Sequence, residues 1–183
     1  MKETERVPWE RNIRHAEDVN EDNAQRLLFD LLDLLDKHNI IYWLNWGLLL
    51  GLVRDGNFIP WDTDMDVTCH WNNRDQIINS IEPQMAEKGC YIPRVEDCFP
   101  EDRWFIRDKE KIELNFVVED GNKYTYSKGR CDLSCPKEYI DTLQIAIFKG
   151  RQVYIPSNVR KYLELSYGET WLTPIKGKKP VSL

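Results

Sequence analysis

The chain has 183 residues, of which 42% are hydrophobic and 31% charged, and its formal charge is -6. That length suits one domain with a buried core, and the composition excludes a disordered polymer. The acidic balance excludes nonspecific binding to duplex nucleic acid, which needs a basic surface.

No apolar run is long enough for a transmembrane segment, because the cluster around Ile40–Val53 is broken by Asn45, Gly47 and Gly51. The start, Met1-Lys2-Glu3-Thr4-Glu5-Arg6, lacks the apolar centre of a signal peptide, and no Asn-x-Ser/Thr acceptor occurs. The expectation is a cytoplasmic protein, with the secretory-pathway lumen as the alternative if the sequence is part of a longer chain. Five cysteines are present. Cys69 reads as a core thiol, and Cys131 and Cys135 form a C-x₃-C pair with Cys90 and Cys98 elsewhere. Free thiols in a reducing compartment are the leading reading, with a disulfide or structural zinc as alternatives.

Residues 1–19 are polar and aperiodic and read as an arm, with Pro8 and Trp9 as its anchor, before a single domain over 20–183. From Asp22 to His38 leucines at three- and four-residue intervals predict an amphipathic helix ending near Asn39. A strand over Ile40–Leu44 and a short helix over Gly47–Asp55, closed by Gly56, follow. Asp64–His70 reads as a strand, and Asn73–Lys88 as a helix kinked or split at Pro83. Strands are predicted over Tyr91–Val95, Arg103–Arg107 and Lys111–Val118, the last pairing with Lys123–Ser127. A hairpin, Leu143–Phe148 with Gln152–Ile155, precedes a final helix over Ser157–Tyr167 with Ser157 as N-cap. This order predicts an α+β fold around one mixed sheet.

Asp64 and Asp66 stand two apart on a predicted strand, so their carboxylates leave one face ~7 Å apart along the backbone. Neighbouring carboxylates repel, and a divalent cation between them removes the conflict; magnesium favours oxygen ligands of this kind. A solvated acidic edge is the alternative. Asp62 stands two residues earlier as a further ligand or base. In Lys111-Ile112-Glu113-Leu114-Asn115-Phe116, Glu113 and Asn115 share a face, and Glu113 beside the aspartates would share their cation rather than lie buried unpaired.

The stretch from Trp43 to Val67, with Gly47-Leu48-Leu49-Leu50-Gly51, Arg54 and Ile59-Pro60-Trp61-Asp62-Thr63-Asp64-Met65-Asp66-Val67, resembles the LicD family of phosphocholine transferases, fukutin and the fukutin-related protein. Val153–Asn158 and Tyr162–Trp171 are similar to its closing segment, so the likeness spans about 22–174. The resemblance implies a nucleotidyltransferase fold, a small mixed sheet flanked by helices. It implies magnesium (or manganese) on Asp64, Asp66 and Glu113, and catalysis by these acids with Asp62. Gly47, Leu48, Gly51, Arg54 and Trp61 would surround the substrate phosphates. Leu48 departs from the family, which usually has a Thr or Ser after the first glycine.

The resemblance further implies transfer of a phosphorylated alcohol from a CDP-linked donor to a glycan or other hydroxyl acceptor. Transfer of a nucleoside monophosphate by the same acids is an alternative, and a non-catalytic binding module is another. Trp46, Trp61, Trp71, Trp104 and Trp171 offer material for a cationic-ligand cage, though packing is their more ordinary use.

Overall fold

The computed structural model describes residues 13–14, 17–94, 102–126 and 134–177. The first helix, α1 (Glu21–Lys37), starts where the Asn20 side chain accepts a hydrogen bond from the Asn23 backbone N–H. Its leucines, Leu27, Leu28, Leu31, Leu32, Leu34 and Leu35, are all buried, as their spacing predicts. After β1 (Tyr42–Leu44) the chain enters α2 (Trp46–Asp55), and Gly56 in the left-handed region closes it.

The strand β2 (Met65–His70) begins one residue after Asp64. Helical turns then run over Trp71–Asn73, α3 (Arg74–Gln76), a wider π-type stretch (Ile77–Ile81) and α4 (Glu82–Glu87). Pro83 therefore sits in the first turn of α4, where its missing N–H costs little, and the wide turn before it absorbs the predicted kink.

The main sheet holds β1, β2, β3 (Arg103–Arg107), β4 (Glu110–Asp120), β5 (Lys123–Tyr126) and β6 (Ser134–Pro136). Its organising strand is β4, eleven residues long. One edge of β4 pairs in parallel with β2; the other pairs first with β3 and then with β5, both antiparallel. On β2 and β4 the odd and even positions separate cleanly. Met65, Val67 and Cys69, with Ile112, Leu114 and Phe116, join the apolar core. Asp66 and Thr68, with Glu113 and Asn115, occupy the other face and are also buried. A separate hairpin, β7 (Gln144–Phe148) and β8 (Arg151–Ile155), lies against β1 through an edge-to-face contact of Tyr154 with Tyr42 at 5.5 Å. The chain then forms α5 (Val159–Tyr167), which ends at Gly168.

The fold is thus the expected α+β domain, with local departures. Over 91–95 the described residues form only a single bridge, Tyr91 to Ile106, because Pro93 cannot extend a ladder; Val95 lies outside the described residues. Ser157 does not cap α5. Its hydroxyl donates to the Glu138 carbonyl, and Asn158 precedes the helix in a left-handed conformation. The short edge strand β6, which ends in Pro136, has no periodic signal in the sequence. Cys69, Cys90 and Cys135 are buried free thiols, whereas Cys98 and Cys131 lie outside the described residues, so the C-x₃-C pair is not seen together. Pro8 and Trp9 also lie outside them. No helix among the described residues is long and apolar enough to cross a membrane.

Asn45, wholly buried, joins four elements. Its carboxamide oxygen accepts from the Trp46 backbone N–H and from the Tyr162 hydroxyl at 2.9 Å each, while its nitrogen donates to Thr68 Oγ1 at 3.1 Å and to the Tyr126 hydroxyl. The Asn45 backbone N–H donates to the Asp66 carbonyl at 3.0 Å. Asn45→Ala removes a cap and strands buried hydroxyls, and should lower unfolding free energy by about 2–4 kcal/mol in urea titrations. A loss below about 0.5 kcal/mol would show that this junction contributes little.

Candidate active site

Parallel pairing of β2 with β4 puts Asp66 directly beside Glu113. Asp64, just before β2, reaches the same place: the Lys111 ammonium lies 3.0 Å from Asp64 Oδ2 and 2.5 Å from Glu113 Oε1. Asp66 is 7% exposed and Glu113 4%, so these charges are largely removed from water. The Asn115 carboxamide nitrogen donates to Asp66 Oδ1 at 3.3 Å. The predicted acids are therefore brought together, with Asn115 among them.

Crowding shapes their protonation. Burial, then the charges of Asp64, Glu113 and Asp62, holds the Asp66 carboxyl well above the usual carboxylate range. Burial likewise raises Asp64, with Lys111 opposing and Glu113 adding to the shift. Asp62 is pushed up to about 7 by burial and by Asp64, against the pull of the Thr63 N–H, Arg14 and Lys111. The neighbouring acids Asp64 and Glu113 overcome burial at Lys111 and hold its ammonium protonated.

The glycines have distinct uses. At Gly47 a side chain would overlap the Asp62 carboxylate, so the missing Cβ admits Asp62 to the first turn of α2. At Gly51 a Cβ would fall 2.5 Å from the Asn57 carbonyl oxygen, which makes that glycine a packing requirement of the following loop. Leu48 is 2% exposed and belongs to the core, so this residue cannot reach a phosphate. Arg54 stands eight residues beyond Trp46, roughly 12 Å along the helix axis. Its guanidinium is held by Asp55 at 2.6 Å, away from the end where Asp62 sits. Trp61 is half-buried against the core.

The five tryptophans take separate partners rather than forming a cage. Trp46 lies against Tyr126 and Trp71 against Phe116, Trp104 faces Lys111, Trp61 is half-buried, and Trp171 is buried.

Three site residues escaped the sequence reading. Arg14, 7% exposed, contacts Glu110 at 2.9 Å and acts electrostatically on Asp62; nothing in an aperiodic polar arm marks it. Tyr167 on α5 is buried, and Asp66, Asp62 and Asp64 help to keep its hydroxyl protonated. Lys111 had a visible signal, its two-residue spacing from Glu113, which puts both on one face of a strand.

A divalent ion suits this donor set in chemistry, since carboxylate and carboxamide oxygens are hard ligands. Among the described residues the buried Asn115 carboxamide oxygen, beside Asp66, has no hydrogen-bond partner. As they stand, no three His, Cys, Asp or Glu side chains among the described residues form a ready ligand set; Lys111 lies between two of the acids.

Residues 39–158 match the model of the LicD/FKTN/FKRP nucleotidyltransferase domain. The chain belongs to the LicD/FKTN/FKRP family. Its relatives include mouse ribitol 5-phosphate transferase FKRP, 28% identical over 75% of this chain and 30% of that protein. Human ribitol-5-phosphate transferase FKTN is 26% identical over 84% of this chain and 34% of its own length. The lipopolysaccharide cholinephosphotransferase LicD of Haemophilus influenzae is 24% identical, covering 76% and 64%. The chain thus spans about a third of the mammalian relatives. Among solved structures, the lincosamide adenylyltransferase LnuA bound to lincomycin superposes with a TM-score of 0.54 at 16% identity, over 77% of this chain and 85% of that one. That likeness establishes the nucleotidyltransferase fold of this LicD/FKTN/FKRP member.

The raised acids make the metal-free domain pH-sensitive. The folded protein retains protons that the unfolded chain has released, so this stability is complete below the ordinary carboxylate range. It is lost as pH rises through the folded values, about 7 for Asp62. Asp66→Asn should therefore raise Tm in chelator-treated protein, by more at pH 8 than at pH 5. An equal or negative shift at pH 8 would show that repulsion at Asp66 does not limit stability.

Proposed function

We propose that this chain is a metal-dependent transferase that moves a phosphorylated alcohol, of the ribitol-phosphate or phosphocholine type, from a CDP-linked donor to a glycan or other hydroxyl. The supporting observation is the meeting of buried Asp66 and Glu113 on one face of neighbouring parallel strands, with the partly exposed Asp64 joining them from just before β2. The substrate classes named for its relatives, ribitol phosphate and choline phosphate, indicate what such a site would handle.

In this reading Asp64 and Asp66 hold magnesium or manganese, with Glu113 as the third carboxylate of the cluster. When bound, the ion supplies charge that offsets the donor's phosphates. The acceptor oxygen forms a bond to the alcohol-bearing phosphorus, the bond to the bridging oxygen breaks, and CMP leaves. The hydroxyl proton passes to a carboxylate, the candidate being Asp62, which lies against Gly47 of α2. Lys111 and the Tyr167 hydroxyl add fixed positive and hydrogen-bonding character beside the acids. Arg54 is assigned no step here; it pairs with Asp55 near the far end of α2. A location in the cytoplasm fits the free buried thiols and is part of the same proposal.

Incubation with magnesium and labelled CDP-ribitol or CDP-choline should release free CMP and label a hydroxyl acceptor through the alcohol phosphate. Asp64→Asn and Asp66→Asn should each lower that rate by roughly 10³-fold, the scale of losing a main electrostatic stabiliser. Labelled CMP left on the acceptor would instead establish nucleotidyl transfer. Absence of turnover and of nucleotide-induced thermal stabilisation would replace the enzyme reading with a binding module.

A further inference from the structure

Lys111 is built into the acidic cluster rather than drawn to it from the surface. Its position on β4 is fixed two residues before Glu113, and its side chain is 9% exposed. The ammonium touches Asp64 Oδ2 at 3.0 Å and Glu113 Oε1 at 2.5 Å, and lies 4.6 Å from the centre of the Trp104 ring. Trp104 pairs with Glu113 across β3 and β4, so the same ladder that places the acid also places the aromatic floor under the lysine. An ion bridging Asp64 and Glu113 would have to occupy the point where this ammonium stands. Asp66, Asp62, the second oxygen of Asp64 and the Asn115 carboxamide remain as further oxygen donors, with Asn115 bonded to Asp66.

We propose that Lys111 is a tethered cation in the place of one of two divalent ions, so that the site takes a single metal ion on Asp64 and Asp66 while Glu113 is neutralised by the ammonium. This rests on the metal-dependent reading above and narrows it. A two-metal site sets its ions about 4 Å apart to serve the attacking and leaving oxygens. Here the ion would serve the donor phosphates, and the side nearer Glu113 would offer N–H donors in place of a Lewis acid. Lysine suits this role because its ammonium is a compact point charge on a long stem, and the indole holds that stem in register.

The test is electron paramagnetic resonance of Mn²⁺ bound to the intact chain with saturating CDP, which carries the donor's pyrophosphate and no transferable alcohol. Wild type should give the spectrum of an isolated ion. Lys111→Met keeps an apolar stem against Trp104 and removes the charge, and should give a spin-coupled Mn²⁺ pair and a several-fold tighter Mn²⁺ affinity. Lys111→Arg should keep the isolated ion. A coupled pair in wild type overturns the proposal while leaving the metal-dependent reading intact, and this arm decides even if Lys111→Met fails to fold. An isolated ion of unchanged affinity in a folded Lys111→Met also overturns it. No protein-bound Mn²⁺ in any of the three removes the metal-dependent reading itself.

Discussion

Two parallel strands set residues of equal register side by side, and on β2 and β4 the residues so matched are Asp66 and Glu113. Hydrophobic burial draws the sheet together through Val67, Leu114 and Phe116 on one face. On the other face the same act of pairing forces carboxylates into proximity and out of water, at a cost that rises steeply as the local dielectric falls. Nearly every unusual feature of the polar face answers that repulsion. Lys111 lies between Asp64 and Glu113, Asn115 turns an N–H toward Asp66, and protons are retained on acids that would ordinarily lose them.

Around this core of like charge the fold supplies rigid supports. Asn45 fixes the start of α2 to β2, β5 and α5, and the neighbouring Gly47 leaves room for the Asp62 carboxylate. Trp46, between them, adopts a left-handed backbone with φ 41 and lies against Tyr126 at 4.8 Å. A bulky residue in that region is strained, and such strain persists only where the surroundings over-determine the conformation. The first turn of α2 is therefore held from several sides, as a surface that must meet a charged ligand without rearranging requires.

Much of this was legible in the chain itself, and the reasons differ by element. The leucine spacing of α1 and the alternation of β2 and β4 are direct imprints of period 3.6 and period 2, so both appeared where expected. The acidic motif announced its residues because repulsion at two-residue spacing demands an explanation. What the sequence concealed is long-range. Arg14 meets Glu110 across 96 positions, and no local pattern encodes that pairing. Where Arg54 stands relative to Asp62 is likewise a tertiary property, set by the direction of α2. Leu48 is covered for the same reason, since a helix that docks one face on the core must bury some of its first turn. Ser157 has a cap-forming side chain, yet the Glu138 carbonyl claims it.

The tether of the early residues to the body has a practical meaning for anyone recombining domains of this family. Ile13 bridges Lys109, the Val19 N–H reaches the Pro60 carbonyl at 2.7 Å, and the Glu110 side chain receives both Arg14 and the Asn20 backbone. Those partners are the root of β4 and the loop that delivers Asp62. The stretch recognisable by family likeness starts only at residue 39. A graft cut there would lose α1 and leave Glu110, 1% exposed in the intact chain, as a buried acid stripped of its counter-charge at the foot of the strand that carries Glu113. The transplantable unit is thus longer than the recognisable one, and its near border falls at or before Ile13.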